Sequence, residues 1–386
     1  MASDLRDLLR ADRLFFPAAA LHAALIVALR AAEASGHSVL ASLPPYWHGH
    51  EMLFGFAPAL MAGYLLNGLG PDRIVLLFCA WLLARAGFFA QPERIEIAAP
   101  LLLLYPLGLA LLAGGRLSGA AKSLRNALFP AILAAPPLAE GLYLLDWPSQ
   151  SGMAAHAGLA LMSGLVTLML FAMGGRIIAA ATSGAHRSLG RTLPYTAQID
   201  LEMAGVALLL PALLLDSLGR FPPIAGAASL AAGGIVALRL VRWQVLRLGR
   251  KSGLMPLHIA YGLLGCGLVF KGAAQILDLA PLFGASHLVY VGALGLLAAL
   301  MTLRASRQRD RLSDMAHRRA EHAVMVLIGL SLPFRLAALF VPDEAPILIV
   351  IAAAFWSAGF LSLAALLVHH GLRARKSGRK PSAKRR

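Results

Sequence analysis

Long apolar runs recur from one end of this chain to the other, each close to the ~20 residues that a helix needs to cross a hydrocarbon core. Twelve are read, starting near Leu14, Trp47, Arg73, Ile97, Arg125, Gly152, Leu201, Pro223, Pro256, Ala285, His322 and Ala345. A soluble protein that is 59% hydrophobic and 14% charged could not coat its own surface. Backbone groups in lipid must be satisfied internally, and runs of this length select helices over barrel strands. The expected fold class is therefore all-α: a polytopic membrane helix bundle of about 12 transmembrane helices, with residues 1–371 as a single transmembrane domain. The opening Met1-Ala2-Ser3-Asp4-Leu5-Arg6 has no cleavage pattern, so the first run is expected to stay as a helix. Pro58, Pro106, Pro130, Pro136 and Pro137 fall inside runs and are expected to kink or break them.

A net charge of +16 suggests nucleic acid until its distribution is followed. Arg6, Arg10, Arg13, Arg73, Arg116, Lys122, Arg187, Arg191, Arg247, Lys251 and the arginines from Arg304 to Arg319 occupy alternate connections. The connections between them carry mostly Glu33, Glu93, Asp146, Asp278, Asp343 and Glu344. This alternation is the pattern that orients membrane helices, basic side inward, and it puts both termini in the cytoplasm. The basic residues meet anionic headgroups, and the partner is the lipid bilayer, with no nucleic acid. Residues 372–386 form a basic tail expected to be disordered and cytoplasmic. Cys79 and Cys266 lie inside apolar runs and read as small packing residues.

The ionisable groups inside the runs carry the functional information, because each needs a partner, a metal or water. His48 and His50 open the second run, His156 lies early in the sixth and His287 early in the tenth. All three runs enter from the non-basic side, so these imidazoles share one membrane level. Imidazole suits haem iron and copper. His48 and Met52 are four apart and share a helix face, whereas His48 and His50 point apart by about 200°. Glu51 can accept an N–H from an imidazole and fix a ligand tautomer. His22 lies near the middle of the first run and can join the level. His258 with Tyr261, on one face of the ninth run, and Arg176 in Gly174-Gly175-Arg176-Ile177-Ile178 are nearer the basic side. Arg176 reads as a snorkelling arginine or a partner for a haem propionate, and Asp200 or Glu202 as its structural counter-charge. Lys271 and Gln275 share another face. Taken singly, any one of these histidines is better explained by a hydrogen bond to a neighbouring helix, whereas the shared level of the set favours a metal or haem centre. No phosphate-binding glycine loop, no Cys-x-x-Cys-His and no serine–histidine–aspartate set is present, so a nucleotide-driven pump and a covalent haem are excluded.

Five places resemble the NnrS family of bacterial membrane proteins. They are Leu14-Phe15-Phe16-Pro17; Trp47-His48-Gly49-His50-Glu51-Met52-Leu53-Phe54-Gly55-Phe56; Gly174-Gly175-Arg176-Ile177-Ile178; Leu257-His258-Ile259-Ala260-Tyr261; and His287 with Val291-Gly292-Ala293, Met301-Thr302 and Arg304. The second is the most specific. The resemblance implies haem (b type) and copper as cofactors and a role in nitric oxide response and nitrosative stress, beside denitrification or respiratory partners, in the bacterial inner membrane. The chain departs from the family pattern after Arg304 and after Ile178. His48-Gly49-x-x-Met52-x-Phe54 is also similar to the second-helix haem-ligand motif of haem–copper oxidases and nitric oxide reductases, whose ligands lie on their second, sixth and tenth helices. The seventh run here lacks the oxidases' His-His pair.

The resulting expectation is a haem- and copper-binding protein acting on nitric oxide, with His48 and His287 as axial ligands and His50 and His156 free for copper. The cofactor-binding set is His48, His287, Met52 and Arg176. The metal set is His48, His50, His156, His258 and His287, supported by Glu51 and Tyr261. A transporter for a small solute or copper and a cofactor-free assembly partner of a respiratory complex are the alternatives.

Overall fold

A computed structural model describes residues 7–37, 43–44, 46–90, 94–119, 123–147, 152–248, 253–279, 284–310 and 318–378. The distal part of the basic tail, residues 379–386, lies outside the described residues. The described chain is helical, and ten of its helices are long and apolar enough to cross a membrane. They are α1 (Ala11–Ala34), α3 (Pro71–Ala90), α4 (Ile95–Leu117), α5 (Arg125–Leu144), α6 (Met153–Ser188), α8 (Pro222–Leu248), α9 (Met255–Leu277), α10 (Leu288–Asp310), α11 (Arg319–Ala337) and α12 (Pro342–Arg373). Two further helical stretches fill the second and seventh places of the expected order: α2, residues 47–65, and α7, Ile199–Ser217. Both are shorter than their neighbours.

The ends of these helices sort onto two faces. On the basic face, Arg10 and Arg13 at the start of α1 bind Asp310 at the end of α10 at 3.0 and 2.9 Å. Arg309 donates to the Gly63 carbonyl at the end of α2. Gly371 near the end of α12 lies against Arg13. The start of α1 and the end of α12 thus meet on one face, as an even number of crossings requires. On the opposite face, Glu33 at the end of α1 receives Trp47 Nε1 at 3.2 Å and Arg30 at 2.9 Å.

Small residues set the closest helix approach. With lipid on one side and apolar side chains on the other, helix association relies on van der Waals packing. A Cβ at Gly233 of α8 would stand 2.8 Å from the Gly265 carbonyl oxygen of α9, while one at the adjacent Gly234 would meet nothing within 4 Å. Proline breaks α5 at Ala135, between segments Leu124–Ala134 and Pro136–Leu144. Cys79 and Cys266 are both exposed on the outer surface of the bundle, a correction to their reading as packing residues. Small apolar side chains are as compatible with lipid as with a core.

Among the described residues, three helices contain π-helical segments: Glu51–Phe56 in α2, Leu170–Gly174 in α6 and Leu288–Gly295 in α10. Such segments free backbone carbonyls that must be satisfied within the bundle. Trp81 Nε1 of α3 donates to the Gly55 carbonyl at 3.0 Å. The Tyr261 hydroxyl of α9 donates to the Phe171 carbonyl at 2.9 Å, joined there by Arg239 of α8 at 3.3 Å.

Gly233→Ala is expected to lower the thermal unfolding temperature of the detergent-solubilised protein, since overpacking against backbone costs about 1–3 kcal/mol. Gly234→Ala, one residue away, is expected to leave it unchanged or slightly raised, because alanine favours a helix over glycine by up to about 1 kcal/mol.

Candidate functional site

The second helix presents two chemically different faces. One face carries His50 and Glu51, and both are fully buried. His50 Nδ1 lies 3.0 Å from Glu51 Oε1, and His50 Nε2 lies 2.8 Å from Glu140 Oε1 of α5. Arg85 Nη1 of α3 donates to Glu51 Oε1 at 2.5 Å. His22 Nε2 of α1 lies 3.3 Å from Glu51 Oε2 and 3.2 Å from the Glu51 carbonyl. The His50 ring stacks on Phe88 at 4.5 Å and Tyr143 at 4.4 Å. Carboxylates only accept, so His50 donates from both nitrogens whenever both glutamates are ionised. Two cations and two anions then balance, which is the condition for holding charge away from water.

Glycine makes this cluster possible. A Cβ at Gly55 would lie 2.5 Å from His22 Nε2 and 3.1 Å from Arg85 Nη1. Its absence lets both side chains reach the Glu51 side of α2.

His50 is expected as a copper ligand, but both its ring nitrogens are engaged by carboxylates. Glu51 accepts from imidazole as expected, here from His50 and His22, and with Arg85 it ties α1, α2 and α3 together in a charge network. Neither Arg85 nor Glu140 is singled out by motif reasoning. The signal was an ionisable residue set deep in an apolar run, the third and the fifth respectively.

The other face of α2 carries His48 and Met52. Both line a cavity of about 300 Å³, together with His287 and Tyr290 of α10, Arg30 of α1 and Arg335 of α11. His48 and His287 are thus brought together from helices far apart in sequence. His287 Nδ1 lies 2.8 Å from the Gly284 carbonyl. A carbonyl only accepts, so Nδ1 carries the proton and the Nε2 lone pair of the neutral ring is left for a ligand. His48 Nδ1 is buried and has no hydrogen-bond partner. Two arginines line this cavity and no acidic residue does. Among the described residues, Arg30 pairs with Glu33 and Arg335 makes no ion pair.

The remaining expected residues lie elsewhere. His156 is exposed; its Nδ1 bonds the Gly152 carbonyl at 3.0 Å and its ring meets Tyr46. It is outside the His48–His287 cavity, so a shared level does not mean a shared centre. His258 Nδ1 bonds the Leu254 carbonyl at 2.9 Å and Nε2 lies 3.1 Å from Thr182 Oγ1, so neither nitrogen is left for a metal. Tyr261 serves Arg239 at 2.6 Å, not His258. Arg176 binds Glu202, which Arg125 also holds at 2.7 Å, as its reading as a structural ion pair anticipates. Arg176 borders a second cavity of about 480 Å³ without joining the histidines. Lys271 and Gln275 both bind Asp216 of α7. Among the described residues no three histidine, cysteine or acidic side chains gather as a metal-binding group. The histidines expected for copper therefore do not form a donor set of their own.

A model of the family described as NnrS protein matches residues 10–375 of the chain. No curated protein matches it.

Arg85→Met is expected to destabilise the protein by about 3–5 kcal/mol, the usual result of stripping one partner from a buried pair. Arg85→Met combined with Glu51→Gln restores neutrality and is expected to recover part of that loss, measured as thermal unfolding in a double-mutant cycle.

Proposed function

The chain belongs to the NnrS family, and on that premise we propose that it is a haem-binding protein of the bacterial inner membrane, acting in the nitric oxide response. The observation that carries this reading is the single cavity lined by His48 and His287. The donor set suits haem: two neutral imidazoles from separate helices, one with its tautomer fixed by Gly284 and one with an orphaned buried nitrogen. Arg335, which makes no ion pair among the described residues, and Arg30, which also pairs with Glu33, suit the carboxylates of haem propionates. The absence of Cys-x-x-Cys-His leaves a haem held without covalent attachment, of which haem b is the expected case.

In this reading His48 and His287 are the residues that would hold the haem iron, and Met52 lies on the same side of α2. When bound, haem supplies a redox-active iron. The protein's own part is to hold the ring between α2 and α10, to keep water out with Val27, Leu53, Val291 and Trp356, and to keep the imidazoles neutral. Nitric oxide is small and uncharged, so a site inside lipid is open to it. A separate copper centre built on His50 and His156 does not fit, since His50 is fully engaged and His156 stands apart. Copper has a place only as a rival occupant of the same cavity, with His48, His287 and Met52 as a nitrogen and thioether set.

Protein purified from cells supplied with haem and copper is expected to show a Soret band. That band is expected to weaken or shift in His48→Ala and in His287→Ala and to stay unchanged in His156→Ala and His258→Ala. A colourless protein, or four indistinguishable variants, would contradict the reading and favour a transporter or an assembly partner.

A further inference from the structure

The 480 Å³ cavity lies between α2, α5, α6 and α10 and falls within the roughly 300–1,000 Å³ of ordinary small-molecule sites. Its wall is almost wholly apolar, including Met61, Met169, Met173 and Met301. No histidine, cysteine or acidic residue lines it, so it offers a haem no imidazole or thiolate. Its polar groups are Tyr64, Asn126 and Arg176.

The hydrogen-bonding capacity left at this site is specific. Arg176 is engaged at each nitrogen: Nε on Glu202 at 2.7 Å, Nη1 on Asn126 Oδ1 at 3.2 Å and Nη2 on the Arg125 carbonyl at 3.0 Å. It shares Glu202 with Arg125, and its guanidinium covers the Phe129 ring at 4.5 Å. The Tyr64 hydroxyl is buried and has no partner. Asn126 spends its carbonyl oxygen on Arg176, which leaves Nδ2 without a partner among the described residues. Tyr64 and Asn126 thus offer two neutral donors, which match a neutral acceptor such as a carbonyl. An apolar chamber within the membrane fits a flat apolar ring.

We propose that this cavity binds the ring of a membrane quinone, with Tyr64 and Asn126 donating to its carbonyl oxygens. Leu294 of α10 lines both this cavity and the one holding His48 and His287, so the two sites share a wall. The proposal concerns binding alone and stands whether or not haem occupies the other cavity.

The test is calorimetric titration of the purified full-length protein with decyl-ubiquinone, a short-tailed quinone, alongside decanoate as a carboxylate of similar reach. Saturable quinone binding is expected, with decanoate at least ten-fold weaker. Tyr64→Phe and Asn126→Leu are each expected to weaken quinone binding about five-fold, the worth of one neutral hydrogen bond. Met173→Trp, which fills the chamber, is expected to abolish it. His48→Ala is expected to bind quinone normally while altering the Soret band, which separates this proposal from the haem reading. Tyr64→Phe removes only a hydroxyl and keeps the ring packed on Phe16, so it tests the site even if Met173→Trp fails to fold. No saturable quinone binding, equal affinity in Tyr64→Phe and Asn126→Leu, or preference for decanoate would overturn the proposal.

Discussion

A carboxylate buried in a membrane bundle must be answered by positive charge or hydrogen bonds, and Glu51 is answered from three directions. His22 reaches it from α1, Arg85 from α3 and His50 from its own helix, with Glu140 of α5 closing the chain beyond His50. These ties fix the rotation of α2 about its axis. Two residues turn a helix by about 200°, so pinning His50 on one side commits His48 to the other. The charged cluster thereby presents His48 and Met52 to the space facing α10. The network binds nothing in our reading; its role is to aim the face that does.

The π segments extend the same logic to the backbone. Each of those in α2 and α6 frees a carbonyl that a side chain of a neighbouring helix satisfies: Trp81 on Gly55, Tyr261 and Arg239 on Phe171. Arg239 is fully buried and sits near the rings of Phe171, Trp243 and Tyr261, between 5.2 and 5.6 Å from their centroids. Cation–π contacts, the Tyr261 hydroxyl, the Phe171 carbonyl and Glu202 at 3.9 Å replace much of the water that it lacks. The π segments of α2 and α10 border the histidine cavity, and those of α6 and α10 border the larger one. Wider helical turns are often found at functional positions, and here they line both of these cavities.

Much of this was legible in the chain. Apolar length and basic alternation located the helices, because both are consequences of the bilayer and not of packing detail. Assigning each histidine a depth put His48 and His287 on one level, and the fold places both on the wall of one cavity. Depth did not determine rotation, which is why His50 and His156 share that level and yet stand outside the cavity. Arg85 and Glu140 were visible only as isolated charges in the third and fifth runs. Their meeting with His50 depends on which helices are neighbours, and periodicity does not encode that. Arg335 was likewise unremarkable until the fold brought α11 beside α2 and α10.

The claim most exposed to refutation is that imidazoles from α2 and α10 clamp one iron between them. Low-temperature electron paramagnetic resonance of the oxidised, purified protein addresses it directly. Two imidazole ligands predict a low-spin ferric signal that is lost or converted to high spin in His287→Ala. A high-spin signal in the unaltered protein, or a low-spin signal indifferent to both His48→Ala and His287→Ala, would contradict the account.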